Sequence, residues 1–218
     1  MTRYAKRIWI FAAGLSALAG YVDAIGFIEL GGFFVSFMSG NSTRLAVGIA
    51  GQLPAVAALA GALVGCFVLG VIAGTLAARL GHRRREPVVL ALVALLLAAA
   101  ATVGGQGAVT LAALLMAAAM GAENAVFERE GEVAIGLTYM TGTLVKLGQR
   151  ATAALLGGDR FGWLPYLLLW AGLISGATAG ALVHPQLGLG ALWFAAAAAA
   201  LLALVATRFD LRRAPTSR

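Results

Sequence analysis

Two acids and two cations stand where an apolar chain has no need of them. Asp23 follows the first apolar run, and Glu123 closes a later one. Arg44 and Lys146 each follow a short polar phrase, "MSGNSTRL" at 38–45 and "MTGTLVKL" at 140–147. A charge in hydrocarbon is costly, so such groups pair with one another, face a ligand or carry protons. Asp23 is the first candidate to carry a proton or face a substrate, with Asn124 as its neutral counterpart. An aspartate opposite an asparagine leaves one titratable group, whereas two carboxylates at equivalent places repel. Glu123, beside Asn124, supplies a second acid. Arg44 and Lys146 either recognise an anionic solute or neutralise Asp23 and Glu123; both readings stand. Ser39, Gly40, Asn41 and Thr43 in the first phrase, and Thr141, Gly142 and Thr143 in the second, bring glycines, hydroxyls and an amide. These satisfy freed backbone groups or bind a small polar ligand.

Other chemistries lack their residues. His82 lies in an arginine run and His184 precedes Pro185 in an expected outer loop. Neither has a carboxylate or cysteine at metal-ligand spacing, so no metal site is expected. Glu29, Glu128, Glu130 and Glu132 fall at segment ends and read as solvated. The one cysteine, Cys66, lies in "LVGCFVLG" and reads as a packing residue. No nucleophile–base pair, phosphate-cradling loop or dinucleotide fingerprint occurs, so neither an enzyme nor a cofactor is expected.

The elements that position these residues are membrane helices. Of 218 residues, 61% are hydrophobic and 11% charged, a balance foreign to soluble domains. The net charge of +7 sits at the ends of apolar segments, which suits membrane orientation rather than nucleic acid. The first apolar run has no small-residue cleavage site before a polar mature domain, so it reads as a retained span. The apolar segments are 8–28, 32–51, 54–79, 87–103, 107–127, 132–156, 162–183 and 188–208, with linkers "GQLP", "GGQG", "GGDRFG" and "HPQLG".

The polar landmarks recur in order about a hundred residues apart. Asp23-Ala24 matches Asn124-Ala125, Met38-Ser39-Gly40 matches Met140-Thr141-Gly142, and Arg44-Leu45 matches Lys146-Leu147. Glycines 61, 65, 70 and 74 answer 172, 176 and 180. A single transmembrane domain over 1–218 thus divides into repeats 1–103 and 104–218. If all eight segments spanned, "RLGHRRR" at 79–85 would lie outside, against the positive-inside rule. If the segments holding the two polar phrases dip in and return, that run becomes cytoplasmic. The expected fold is an all-α polytopic membrane protein of six transmembrane helices plus two re-entrant or broken segments in two inverted repeats. Both termini are then cytoplasmic, at the bacterial inner membrane.

The stretches "GYVDAIGF", "MSGNSTRLAVG", "GAENAVF" and "MTGTLVKLG" resemble the YoaK-like family of small bacterial membrane proteins of unknown function. The resemblance covers essentially the whole chain. Two positions depart from the expected pattern: Ser39 replaces a threonine, and Glu123 replaces a glutamine. The resemblance implies no substrate.

The reading that follows is a secondary transporter of a small polar or anionic solute, coupled to protons through Asp23 or Glu123. Its site lies at the midplane between 38–44 and 140–146. The alternative is a passive channel with a dual re-entrant filter. Expected partners are membrane lipid, the small-molecule solute and protons, without nucleic acid; homo-oligomer formation is left open.

Overall fold

The computed structural model describes residues 6–129, 132–133 and 136–208. It consists of eight α-helices and one short hairpin. These are α1 (Lys6–Glu29), α2 (Met38–Ala50), α3 (Pro54–Leu80), α4 (Arg85–Gly105), α5 (Val109–Glu123), α6 (Met140–Leu155), α7 (Leu164–Leu187) and α8 (Leu192–Arg208). A 3-10 turn, Asn124–Phe127, extends α5, and another, Gly188–Ala191, joins α7 to α8. Glu128–Arg129 and Glu132–Val133 pair as antiparallel strands β1 and β2.

Among the described residues five stretches are long and apolar enough to cross a membrane: Arg7–Glu29, Pro54–Leu80, Arg85–Gly105, Val109–Phe127 and Leu164–Arg208. The last contains both α7 and α8. Only α2 and α6, the helices that carry the two polar phrases, fall outside these stretches. At 13 and 16 residues they are too short to span hydrocarbon upright, which takes about 20 residues.

Small residues set the packing. A side chain at Gly70 or Gly74 of α3 would collide with the backbone of Ala118 or Ala122 on α5. On α7, Gly172, Gly176 and Gly180 lie against the backbone of Ala13, Ala17 and Tyr21 of α1. Gly20 of α1 lies against Leu173, and Gly121 of α5 against Phe67. In both pairs the contacts advance together along the two helices, so α1 runs parallel to α7 and α3 parallel to α5. Close backbone approach replaces hydrophobic burial as the source of helix association in lipid.

Other contacts fix the remaining directions. The Phe11 and Phe127 rings meet edge to face with centroids 6.2 Å apart, while Gly26 approaches Met116; α1 and α5 are antiparallel. Tyr21 donates its hydroxyl to the Ala191 carbonyl at 3.0 Å, and Gly14 meets Leu202, so α8 also opposes α1. One buried cluster unites Ile8, Ala78, Val89, Phe127 and Ala206. These residues gather the start of α1, the ends of α3, α5 and α8, and the start of α4 at one end of the bundle. That end carries Arg7, Arg79, Arg85 and Arg208.

Six of the eight segment limits read from hydropathy match helices to within about four residues, whereas the two segments with the polar phrases, expected at 32–51 and 132–156, become helical only at Met38 and Met140. Two further expectations change at one contact. The expected outer loop at "HPQLG" is helical through His184 and Pro185. His184 is held there by Glu29, its Nε2 lying 2.6 Å from the carboxylate. Glu29 is therefore half-buried in a contact between α1 and α7 rather than solvated.

Candidate functional site

Between α1 and α2 the chain gives up regular structure over residues 30–37, and specific side chains hold it. Asp23 Oδ1 accepts the backbone N–H groups of Val35 and Ser36 at 2.8 and 2.7 Å. Asn41 receives the Phe34 N–H on Oδ1 at 3.1 Å and donates Nδ2 to the Phe34 carbonyl at 2.6 Å. Backbone donors and acceptors buried without partners are costly. These two residues therefore do for the extended segment what a ladder does for a strand. The connection turns at Gly31 and Gly32, both with positive φ, a conformation that glycine adopts without steric cost. It runs back along α1 to the depth of Asp23, and α2 starts from there. Gly48 lies against Ala57, and Leu45 near Gly61, so α2 returns antiparallel to α3.

The second phrase is held by different chemistry in a similar place. Asn124 Nδ2 donates to the Met120 carbonyl at 2.9 Å. Its Oδ1 accepts the Thr138 hydroxyl at 3.2 Å, and α6 begins two residues later at Met140.

The first turns of α2 and α6 open on one shared cavity of about 260 Å³. Its lining includes Ser36, Ser39, Phe67, Thr138, Thr141 and Gly142. Phe67 is the central residue of α3. The residues preceding the helices, Phe37 and Tyr139, cannot act as acceptor caps, and neither helix has a side-chain cap. Ser39 and Thr141 make no side-chain hydrogen bond among the described residues. The cavity thus meets two helix N-termini without side-chain caps, which carry partial positive charge, beside two free hydroxyls; at α2 the Met38 and Gly40 N–H groups already donate to the Ser36 and Phe37 carbonyls.

Of the site residues expected from sequence, Ser39, Thr141 and Gly142 come together at this cavity. Asp23, Asn41 and Asn124 support the segments that lead to it. Gly40 packs against the Phe37 and Phe34 rings. Thr43 bonds back to the Ser39 carbonyl at 3.2 Å, and Thr143 is buried in α6. Arg44 lies over the Phe33 ring, 4.8 Å from its centroid, and beside Gly32. Lys146 is exposed on α6. Neither Asp23–Arg44 nor Glu123–Lys146 is an ion pair among the described residues. Glu123 is fully buried, and among the described residues neither carboxyl oxygen has a hydrogen-bond partner.

Sequence reasoning missed the residues just ahead of each phrase, Ser36, Phe37, Thr138 and Tyr139, and also Phe67. The signal lay in the irregular approach itself: each helix start must be reached by a non-helical residue that shares its cavity. A second, apolar groove of about 480 Å³ lies between α1 and α7, with Asp23, Phe27, Phe34, Leu173 and Thr178 in its wall. Among the described residues no group of three or more His, Cys, Asp or Glu side chains is placed to hold a metal ion.

Long apolar helices packed by glycine, with short helices meeting at a shared cavity, define a polytopic helical membrane protein. The chain belongs to the family described as "Protein of unknown function (DUF1275)", which matches residues 11–205. It is 38% identical over 200 residues to the UPF0700 transmembrane protein RA0705 of Rhizobium meliloti (strain 1021), covering 92% of this chain and 86% of that relative. These matches bear out the resemblance to a family of small bacterial membrane proteins. No solved structure matches the chain.

Proposed function

We propose that this protein is a secondary transporter of a small polar or anionic solute, coupled to protons, with its site in the cavity between α2 and α6. The observation that carries the reading is the meeting of two uncapped helix N-termini in one cavity beside the central residue of α3. Irregular backbone at membrane depth is tolerated where it is buried in protein or lines a water-filled cavity. Discontinuous helices whose N-termini face a midplane site recur in secondary transporters, where they meet the anionic part of the solute.

The same reading takes α2 and α6 as re-entrant, and α1, α3, α4, α5, α7 and α8 as six spans in inverted repeats over 1–103 and 104–218. Three observations support it. The glycine contacts are reciprocal: α3 leans on α5 as α7 leans on α1, through matched residues. The equivalent first helices, α1 and α5, are antiparallel. Arginines gather at one end of the bundle, which the positive-inside rule makes cytoplasmic. Both termini then face the cytoplasm, and the membrane is the bacterial inner membrane.

Counterflow in proteoliposomes tests the function. Vesicles holding purified protein are loaded with unlabelled inorganic phosphate, sulfate, short carboxylates or amino acids, then offered the labelled solute. A carrier exchanges label with saturation. Conductance without saturable exchange would replace the carrier with the channel reading, and inertness toward every class would overturn both.

A further inference from the structure

We propose that Glu123 is the proton-binding group of this protein, and that loss of its proton moves the 136–140 segment at the cavity. The functional consequence rests on the transporter reading; the proton site does not.

Glu123 differs from Asp23, Glu29 and Asp159 in its setting. It is fully buried, and among the described residues both oxygens lack a partner. Asp23, by contrast, is committed to the Val35 and Ser36 N–H groups. Burying an ionised carboxylate without partners is costly, so Glu123 needs something to meet its charge. A metal cation takes several oxygen ligands, and among the described residues not one polar atom bonds this carboxyl. A proton requires none. The helices packed against α5 are α1, α3 and α4. Their titratable groups include Arg7, Tyr21, Asp23 and Glu29 on α1, Cys66 and Arg79 on α3, and Arg85 and Glu86 on α4. None is a hydrogen-bond partner of Glu123.

Its place in the chain gives the proton a consequence. The next residue, Asn124, holds the Thr138 hydroxyl, and Thr138 lines the cavity. When the carboxyl O–H bond breaks, the proton leaves to a water molecule that reaches the carboxyl and the negative charge stays on Glu123. An ionised carboxylate does not stay buried without donors, and the Thr138 hydroxyl and Asn124 amide belong to the neighbouring pair, so meeting the charge requires that segment to shift. Taking the Thr138 hydroxyl breaks the tie that sets the approach to α6, and turning the Asn124 amide moves the oxygen that accepts it. Proton release at Glu123 and the shape of the cavity therefore become one equilibrium.

Infrared spectroscopy of the purified protein at neutral pH tests the proton site directly. A protonated-carboxyl stretch is expected. It should shift on 13C-glutamate labelling, stay put on 13C-aspartate labelling, persist in Asp23→Asn and vanish in Glu123→Gln. The labelling needs no variant, so it tests for a protonated glutamate even if Glu123→Gln misfolds. Glu123→Asp keeps the acid and should turn the band aspartate-sensitive, which assigns it to this position. A missing band, or one insensitive to glutamate labelling, overturns the proposal. The movement is read in a Cys66→Ala background from cysteines at Gly142 and Gly148, where a side chain meets nothing within 4 Å. The ratio of their alkylation rates should change with pH, and Glu123→Gln should abolish that change. A ratio flat with pH in the parent overturns the coupling. Failure of solute exchange in proteoliposomes would sink the transporter reading alone, leaving both readouts in force.

Discussion

Asp23 Oδ1 accepts the backbone N–H of Ser36 at 2.7 Å, so the acid that looks most like a proton carrier also fastens an irregular segment. Val35 and Ser36 are both buried, so a lost acceptor leaves their N–H groups short of a partner. Asp23→Ala strands two buried donors at a cost of about 1–3 kcal/mol each. Asp23→Asn keeps an acceptor of the same shape and should fall between wild type and alanine. Thermal unfolding in detergent orders the three; an alanine variant as stable as wild type would deny Asp23 this role.

The reciprocal glycine contacts predict matched sensitivity in the two halves. Gly70→Val forces α3 away from Ala118, and Gly176→Val forces α7 away from Ala17. Each should cost about 1–3 kcal/mol or more, the usual penalty of overpacking. Gly65→Val, on α3 with nothing within 4 Å, is the control and should stay close to wild type. Similar loss in all three would mean that β-branching, not contact, is being measured.

Much of this fold was legible in the sequence because lipid removes alternatives. Backbone groups must be satisfied within a helix, so Pro54 and Gly105 bound helices that hydropathy alone places within a residue or two. The polar phrases were legible for the converse reason, since hydroxyls and glycines at that depth contradict a plain span. What stayed hidden was which partner each polar group takes. Asp23 and Arg44 are near in sequence and opposite in charge, which suggested a pair. Burial of the 33–36 backbone gave Asp23 a stronger demand to meet, and Arg44 lies on Phe33 instead. His184 and Glu29 join only because α1 and α7 run parallel, a relation that no local pattern encodes.

Orientation is open to direct measurement. Single cysteines at Gly105 and Arg84, in a Cys66→Ala background, should react with an impermeant thiol reagent from opposite faces of the membrane. Gly105 has nothing within 4 Å of an added side chain, so the label site itself should not disturb packing. Labelling of both from the periplasm would break the inverted-repeat reading and leave the arginines at 79–85 on the wrong side.

The position of Arg44 makes a sharper demand, because two accounts of it predict different arithmetic. If Arg44 neutralised Asp23, removing either charge alone would leave a buried partner exposed to an apolar setting, and removing both would restore much of the loss. The geometry instead places the Arg44 guanidinium over Phe33 and gives the Asp23 carboxylate to backbone N–H groups. Arg44→Ala should then cost about 0.5–2 kcal/mol, the range of a cation resting on an aromatic face. Arg44→Ala combined with Asp23→Asn should equal the sum of the single variants within about 0.5 kcal/mol, as for sites that share no partner. Phe33→Leu supplies the positive control: with Arg44→Ala it should lose less than the sum, since each change removes the same contact. Unfolding midpoints for the three single variants and their two combinations settle the matter. Rescue in the Asp23 pair with additivity in the Phe33 pair would reverse the assignment and return Arg44 to Asp23.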